Sequence, residues 1–147
     1  MSTRIEGKAS SEGVTLSSLS EAKSALAGMG DSYEKHVLHD INRLQIATDA
    51  LKSEIENQGK RNDVFLIGHN IAGLGDTFNY DLVTVIGCNL CRFLERPQAL
   101  GDAGLEIIQS HIKALKTVIE NKMKGDAHPD GCQLVEPLKK MTSREIE

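Results

Sequence analysis

Residues 64–80 read VFLIGHNIAGLGDTFNY, and the periodicity of this stretch decides how the chain is read. At about 100° per residue, with His69 set at zero, Ile67 and Ile71 fall roughly 160° to either side, Val64 and Leu74 about 140° away, and Phe78, if the helix runs that far, opposite. The apolar arc of the expected helix thus faces away from His69 and puts the imidazole on the outside. Gly73, one turn on, leaves space beside the ring, and Phe65, one turn back, adds an apolar group on the same side. An exposed imidazole with an open neighbour and an apolar rim suits a surface where the ring reacts with a docked partner. Plainer readings stay open: Gly73 would also let two helices approach, and Phe65 and Leu66 would be core residues if the helix is rolled.

Working outward, residues 32–57 contain neither Gly nor Pro, and Asp31 with Glu34 marks a helix start. Val37, Ile41, Leu44, Leu51 and Ile55 share one face, with Thr48 among them. Gly59 ends this helix, Asn62 is the expected N-cap of the His69 helix, Gly73 and Gly75 loosen its far end, and Asn79 caps the next. Leu82, Val83, Ile86, Leu90 and Phe93 line a helix over 81–95 that Pro97 stops, Gly101 opening the turn beyond. Leu105, Ile108, Ile112, Leu115, Ile119 and Met123 stripe another over 102–124, closed by Gly125. Ser18 with Glu21 reads as a capping box for a short helix over 19–27, ending at Gly28 and Gly30. Pro129 would start a last short helix through Leu138, against which Pro137 argues. The expectation is an all-α chain: an antiparallel four-helix bundle (32–57, 62–74, 81–95 and 102–124) with additional short helices at the N- and C-termini. Its parts would be a disordered lead over 1–15, a single bundle over 16–140 and a tail over 141–147.

Composition excludes several functions. The 147 residues carry a net charge of −4, Lys and Arg form no basic stripe, aromatics are 3% and Trp is absent, so nucleic acid is not an expected partner. No apolar run approaches the length of a membrane span, and the first residues show no signal-peptide pattern. Three cysteines, an odd count, suit a reduced cytoplasmic protein. Cys88 and Cys91 form a lone C-x-x-C with no second pair and no nearby His pair to complete a zinc site, and Cys132 is distant. His36 and His39 are three apart on the first long helix, with His39 opposite the apolar stripe; His128 sits in a loop. His111 flanks a stripe and would hydrogen-bond within the bundle. Glu-x-x-His and His-x-x-x-His spacings are absent, so no metal is expected. No glycine-rich ATP box is present, which argues against a kinase-like dimerising bundle that phosphorylates itself.

The run from His69 resembles the active helix of the histidine phosphotransfer (HPt) domains of bacterial two-component phosphorelays, whose pattern is roughly H-x-(L/I)-K-G-x-(A/S/G)-x-x-(L/F)-G. His69, Ile71, Gly73, Gly75 and Phe78 match; Ala72 stands at the usual Lys and Asn79 at the usual final Gly. Residues 82–95, LVTVIGCNLCRFLE, resemble the family's next helix, so the likeness covers about thirty residues. It implies a phosphoprotein that accepts a phosphoryl group on His69 from a receiver aspartate and passes it on. A neutral imidazole is a competent nucleophile for an acyl phosphate, and the N–P product stays energy-rich. The implied partners are a response-regulator receiver domain and/or a hybrid histidine kinase. The chain itself needs no cofactor, Mg²⁺ being expected on the receiver. Docking and phosphoryl clearance fall to Phe65, Leu66, Ala72, Gly73 and Asp76.

The alternative is a non-phosphorylated helical adaptor, a pseudo-HPt protein, that binds a receiver or kinase domain through the same face. Ala72 cannot offset phosphoryl charge, and Asp76 opposes it. At roughly 10 Å through water a unit-charge pair is worth only about 0.4 kcal/mol, which does not forbid the chemistry. On this reading Ala72→Lys would slow hydrolysis of the phosphorylated protein.

Overall fold

Apolar positions recurring at helical spacing produce helices throughout. The computed structural model describes the backbone of residues 16–125 and 131–146, and the side-chain surroundings of 31–125 and 133–143. In chain order the helices are α1 (Leu16–Ser53), α2 (Gln58–Gly75), α3 (Asp81–Leu94), α4 (Gly101–Glu120) and α5 (Gly131–Ile146), with a single 3₁₀ turn at Asp76–Phe78 between α2 and α3. No strand occurs among the described residues.

The chain divides into two compact units, 1–33 and 34–147, the division falling within α1. In the first unit the described backbone is helical from Leu16 onward. The expected short helix ending at Gly28 and Gly30 is instead part of this longer one. A helix-interior Gly costs only about 1 kcal/mol relative to Ala, and extending an existing helix avoids a new nucleation. The expected lead over 1–15, together with His128, Pro129 and the side chain of Cys132, lies outside the described residues.

In the second unit α1 buries Val37, Ile41, Leu44, Thr48 and Leu51, as its stripe requires. The Thr48 hydroxyl is satisfied by donating to the Leu44 carbonyl at 2.7 Å. α1 stops at Ser53, earlier than expected, and Ile55 is half-buried in the turn beyond. The N-cap of α2 is Asn57, not Asn62: the Asn57 side chain accepts from the Lys60 amide at 3.0 Å. Asn62 lies exposed within the helix.

α3 packs against α2, α4 and α5 and supplies Leu82, Val83, Ile86, Leu90 and Phe93 to the core. α4 buries Ile107, Ile108, Ile112, Leu115, Val118 and Ile119, while Leu105 is only half-buried. α1 and α4 are joined by a reciprocal amide pair, Gln45 and Gln109 each donating to the other at 2.9 and 2.7 Å. α5 continues past Pro137 and through most of the expected tail. Pro137 is on the exposed side, and Val135, Leu138 and Thr142 hold the helix from the other. Arg96 donates to the Thr142 carbonyl at 2.8 Å, adding a tie that offsets the hydrogen bond Pro137 cannot make.

His111 is fully buried. Its Nδ1 donates to the Ile107 carbonyl at 2.8 Å and its Nε2 accepts from Asn89 Nδ2 at 3.0 Å, so the neutral ring is satisfied. Burial pushes its pKa below the usual histidine value, the Ile107 carbonyl partly opposing. The unfolded chain therefore takes up a proton before the native one does, and the stabilisation present above pH 6.5 is lost as pH falls toward the native value. His111→Gln is expected to reduce the steepness of this loss, which for one proton is at most about 1.4 kcal/mol per pH unit. Urea midpoints at pH 7.5 and 5.5 measure it; equal pH dependence in both proteins would refute it.

Candidate functional site

The roll of α2 places the site. Its buried residues are Arg61, Val64, Gly68, Ile71, Ala72 and Gly75. On the wheel these centre about 110° from His69, not opposite it. Small residues cause the difference. A Cβ placed on Gly68 would meet Leu90 at 3.5 Å and Cys91 Sγ at 3.6 Å, and one on Gly87 would meet the Ala72 Cβ at 2.8 Å. A Cβ on Gly75 would lie 2.6 Å from Thr84 Oγ1 and 2.8 Å from the Tyr80 carbonyl. Gly68, Ala72 and Gly75 therefore form the face on which α3 approaches. Leu66 and Leu74 turn outward, 48% and 47% exposed. The expectation that Leu74 belongs to the buried arc is thereby corrected, and Gly75 is a packing residue, not a loosening one.

Both ends of α2 are held. At its start the buried Arg61 guanidinium donates to the carbonyls of Leu94 (3.1 Å), Arg96 (2.6 Å) and Gln98 (3.0 Å), the orphan acceptors at and beyond the end of α3. Burial lowers the Arg61 pKa. At its end the Tyr80 amide donates to the Gly75 carbonyl (2.8 Å) and the Asn79 amide to Asp76 (3.1 Å), with Asn79 left-handed at φ 67°. This is the Schellman pattern, in which Gly is preferred and Asn is the next choice, so Asn79 keeps the conformation a glycine would take. Asn79 therefore ends the preceding element and does not cap α3, which has no side-chain N-cap bond. Thr84 fastens the same corner, donating to the Ala72 carbonyl at 3.0 Å and accepting from the Asp76 amide at 2.9 Å. Tyr80 is buried and donates to Glu34, which also accepts from Lys122 at 2.6 Å. Burial alone would raise the Glu34 pKa; the bonds from Lys122 and Tyr80 and the charges of Lys122 and Lys124 together hold it below the usual value.

Between these anchors His69 is exposed. Its ring stacks on Phe65, with centroids 6.1 Å apart and planes 16° from parallel. Gly73 faces open space: nothing lies within 4 Å of a Cβ placed there. Its plainer reading, close helix packing, belongs instead to Gly68 and Gly75. Leu66 and Asp76 are exposed around the ring's side of the helix, and Phe65 is half-buried. Ala72 departs from the expected docking set: it is 7% exposed and abuts Gly87. A lysine there would have to leave the α2–α3 contact, so Ala72→Lys would perturb packing as well as charge. A groove of about 240 Å³ opens beside Phe65, lined by Gln58, Arg61, Asn62, Leu94 and Glu95.

Cys91 sits within this helix contact, its Sγ facing Gly68, and Cys88 lies one turn earlier on α3. Cys91 is buried, its thiol donating to the Phe65 carbonyl at 3.7 Å, and burial, helped by Cys88 and Glu95, pushes its pKa up to about 11. Such a thiol is a packing group, not a nucleophile. Cys88 and Cys91 are both free, and no group of three metal-ligating side chains occurs among the described residues. His36 pairs with Asp40 at 3.2 Å, and His39 is exposed. No described helix is long and apolar enough to cross a membrane.

Arg61, Gly68 and Thr84 are the positioning residues that sequence reasoning missed. The small residues at 68, 72 and 75 follow helical spacing and were a readable signal; the partners of Arg61, more than thirty residues on, had none. Comparison of the chain with protein-family models, curated proteins and solved structures gave no match, so a functional reading rests on these residues themselves.

Proposed function

We propose that the chain is a histidine phosphotransfer protein of a two-component phosphorelay, and that α1–α4 act as an antiparallel four-helix bundle presenting His69. The observation that carries this reading is the exposed His69 ring on a firmly anchored helix, stacked on Phe65 on one side and open over Gly73 on the other. A partner receiver domain brings the aspartyl phosphate and its Mg²⁺. The His69 lone pair attacks phosphorus, the N–P bond forms as the aspartyl O–P bond breaks, and the carboxylate leaves with the bonding pair. Phe65 and Leu66 furnish apolar contact, and Gly73 gives clearance for the phosphoryl oxygens. The cell compartment in this reading is the cytoplasm, where receivers and the cytoplasmic parts of hybrid kinases operate.

Incubation with receiver domains charged by acetyl phosphate tests the proposal. Label that is acid-labile and alkali-stable is expected on the wild type, and His69→Gln is expected to abolish it while leaving helical circular dichroism unchanged. Label that survives in His69→Gln would refute the assignment. The adaptor reading is favoured by one observation: the position three after His69 is Ala72, turned into the α2–α3 contact, so it brings no cation to a phosphoryl group. Receiver binding without any transfer of label would select it.

A further inference from the structure

We infer that Phe65 is a positioning residue for His69, fixing the plane of the imidazole by stacking; this rests on the phosphotransfer reading. The two rings are unequally held. Phe65 is half-buried, and its backbone carbonyl accepts from the Cys91 thiol at 3.7 Å, which ties its turn of α2 to α3. His69 is exposed, and among the described residues its ring is contacted by Phe65 through a near-parallel stack at 6.1 Å and 16°. Phe65 is therefore the fixed partner and His69 the guided one. Beyond His69, over Gly73, the space is open.

The chemistry makes such guidance useful. In-line displacement requires the ring nitrogen's lone pair, which lies in the ring plane, to point along the O–P bond being broken. A ring free to turn about its side-chain bonds sweeps that lone pair away from the line. A ring held in an offset, near-parallel pair keeps its plane, and because its neighbour lies to one side the ring nitrogens remain accessible. At a site whose position three residues on is Ala72, the stack performs by shape an orientation that a charged neighbour does not supply here.

Two variants separate this role from simple apolar docking. Phe65→Leu keeps bulk and apolarity without a ring; Phe65→Tyr keeps the ring. Single-turnover transfer from a receiver domain charged with acetyl phosphate is measured against receiver concentration. Phe65→Leu is expected to lower the maximal rate about three- to ten-fold, the scale of one lost stacking contact, with the half-saturating concentration unchanged. Phe65→Tyr is expected to restore the rate. The His69 Hδ2 and Hε1 resonances are expected to move in Phe65→Leu, where the ring current is gone, and to stay near wild type in Phe65→Tyr. A raised half-saturating concentration with an unchanged maximal rate would make Phe65 a docking residue and overturn the inference. So would His69 resonances that ignore Phe65→Leu. A wild type that no receiver charges fails the phosphotransfer reading itself and removes the transfer role of Phe65 with it; the resonances still report separately whether the ring is held.

Discussion

Gly75→Ala is expected to destabilise the protein by about 2–3 kcal/mol, while Gly73→Ala, two residues earlier on the same helix, is expected to be neutral or to stabilise by up to about 1 kcal/mol. Both substitutions offer the same gain in helix propensity. They differ in what the new methyl meets. At Gly75 it would lie 2.6 Å from Thr84 Oγ1, 2.8 Å from the Tyr80 carbonyl and 2.9 Å from the Thr84 amide. Two of those atoms are backbone and cannot rotate away, so α2 must lift from the start of α3. That displacement also strains the Thr84 bonds to the Ala72 carbonyl and the Asp76 amide, each worth about 1 kcal/mol net. At Gly73 the methyl enters open space. Urea unfolding of the two variants beside the wild type reads the contrast as a lowered midpoint for Gly75→Ala and an unchanged or raised one for Gly73→Ala, at constant slope. Equal midpoints would mean that the α2–α3 corner is looser than described.

Arg61→Ala is expected to cost about 3 kcal/mol, in the range for a buried charged group with several hydrogen bonds. The guanidinium satisfies three carbonyls where α3 ends and the chain turns toward α4. Its positive charge also lies at the negative end of the α3 dipole, which favours a cation there without a carboxylate partner. Truncation leaves the carbonyls short of donors and opens the space the side chain filled. Arg61→Lys is expected to recover part of the loss, since one ammonium cannot reproduce a planar fork reaching three acceptors. The same variants bear on function. With Arg61 gone, the start of α2, two turns before His69, loses its tie to α3, so label transfer should weaken along with stability. An Arg61→Ala protein as stable as the wild type would refute the anchoring role.

The sequence alone was enough for the helical class, for most of the core of α1, α3 and α4, and for the outward side of His69. Those follow from large apolar side chains at helical spacing, a property local to each segment. Boundaries were less legible. Asn57 and Asn62 are equally good N-caps by type, and only the chain's path selects the first. Asn79 reads from the sequence as the cap of α3, but its left-handed backbone makes it the close of the preceding element and not the opening of the next.

What tertiary structure decided was the roll of α2. A wheel weighted by large side chains points toward Ile67, Ile71, Val64 and Leu74, yet the buried arc centres on Gly68 and Gly75, flanked by Arg61, Val64, Ile71 and Ala72, because the absence of bulk at 68, 72 and 75 lets two backbones close up and leaves Leu74 outside. The same roll buries Ala72 against Gly87, leaves Leu66 and Leu74 on the surface, and brings Phe65 to where its ring can stack on His69. Periodicity identifies which residues lie on the outer side of a helix; only the packing partner fixes which of them stand next to one another around His69.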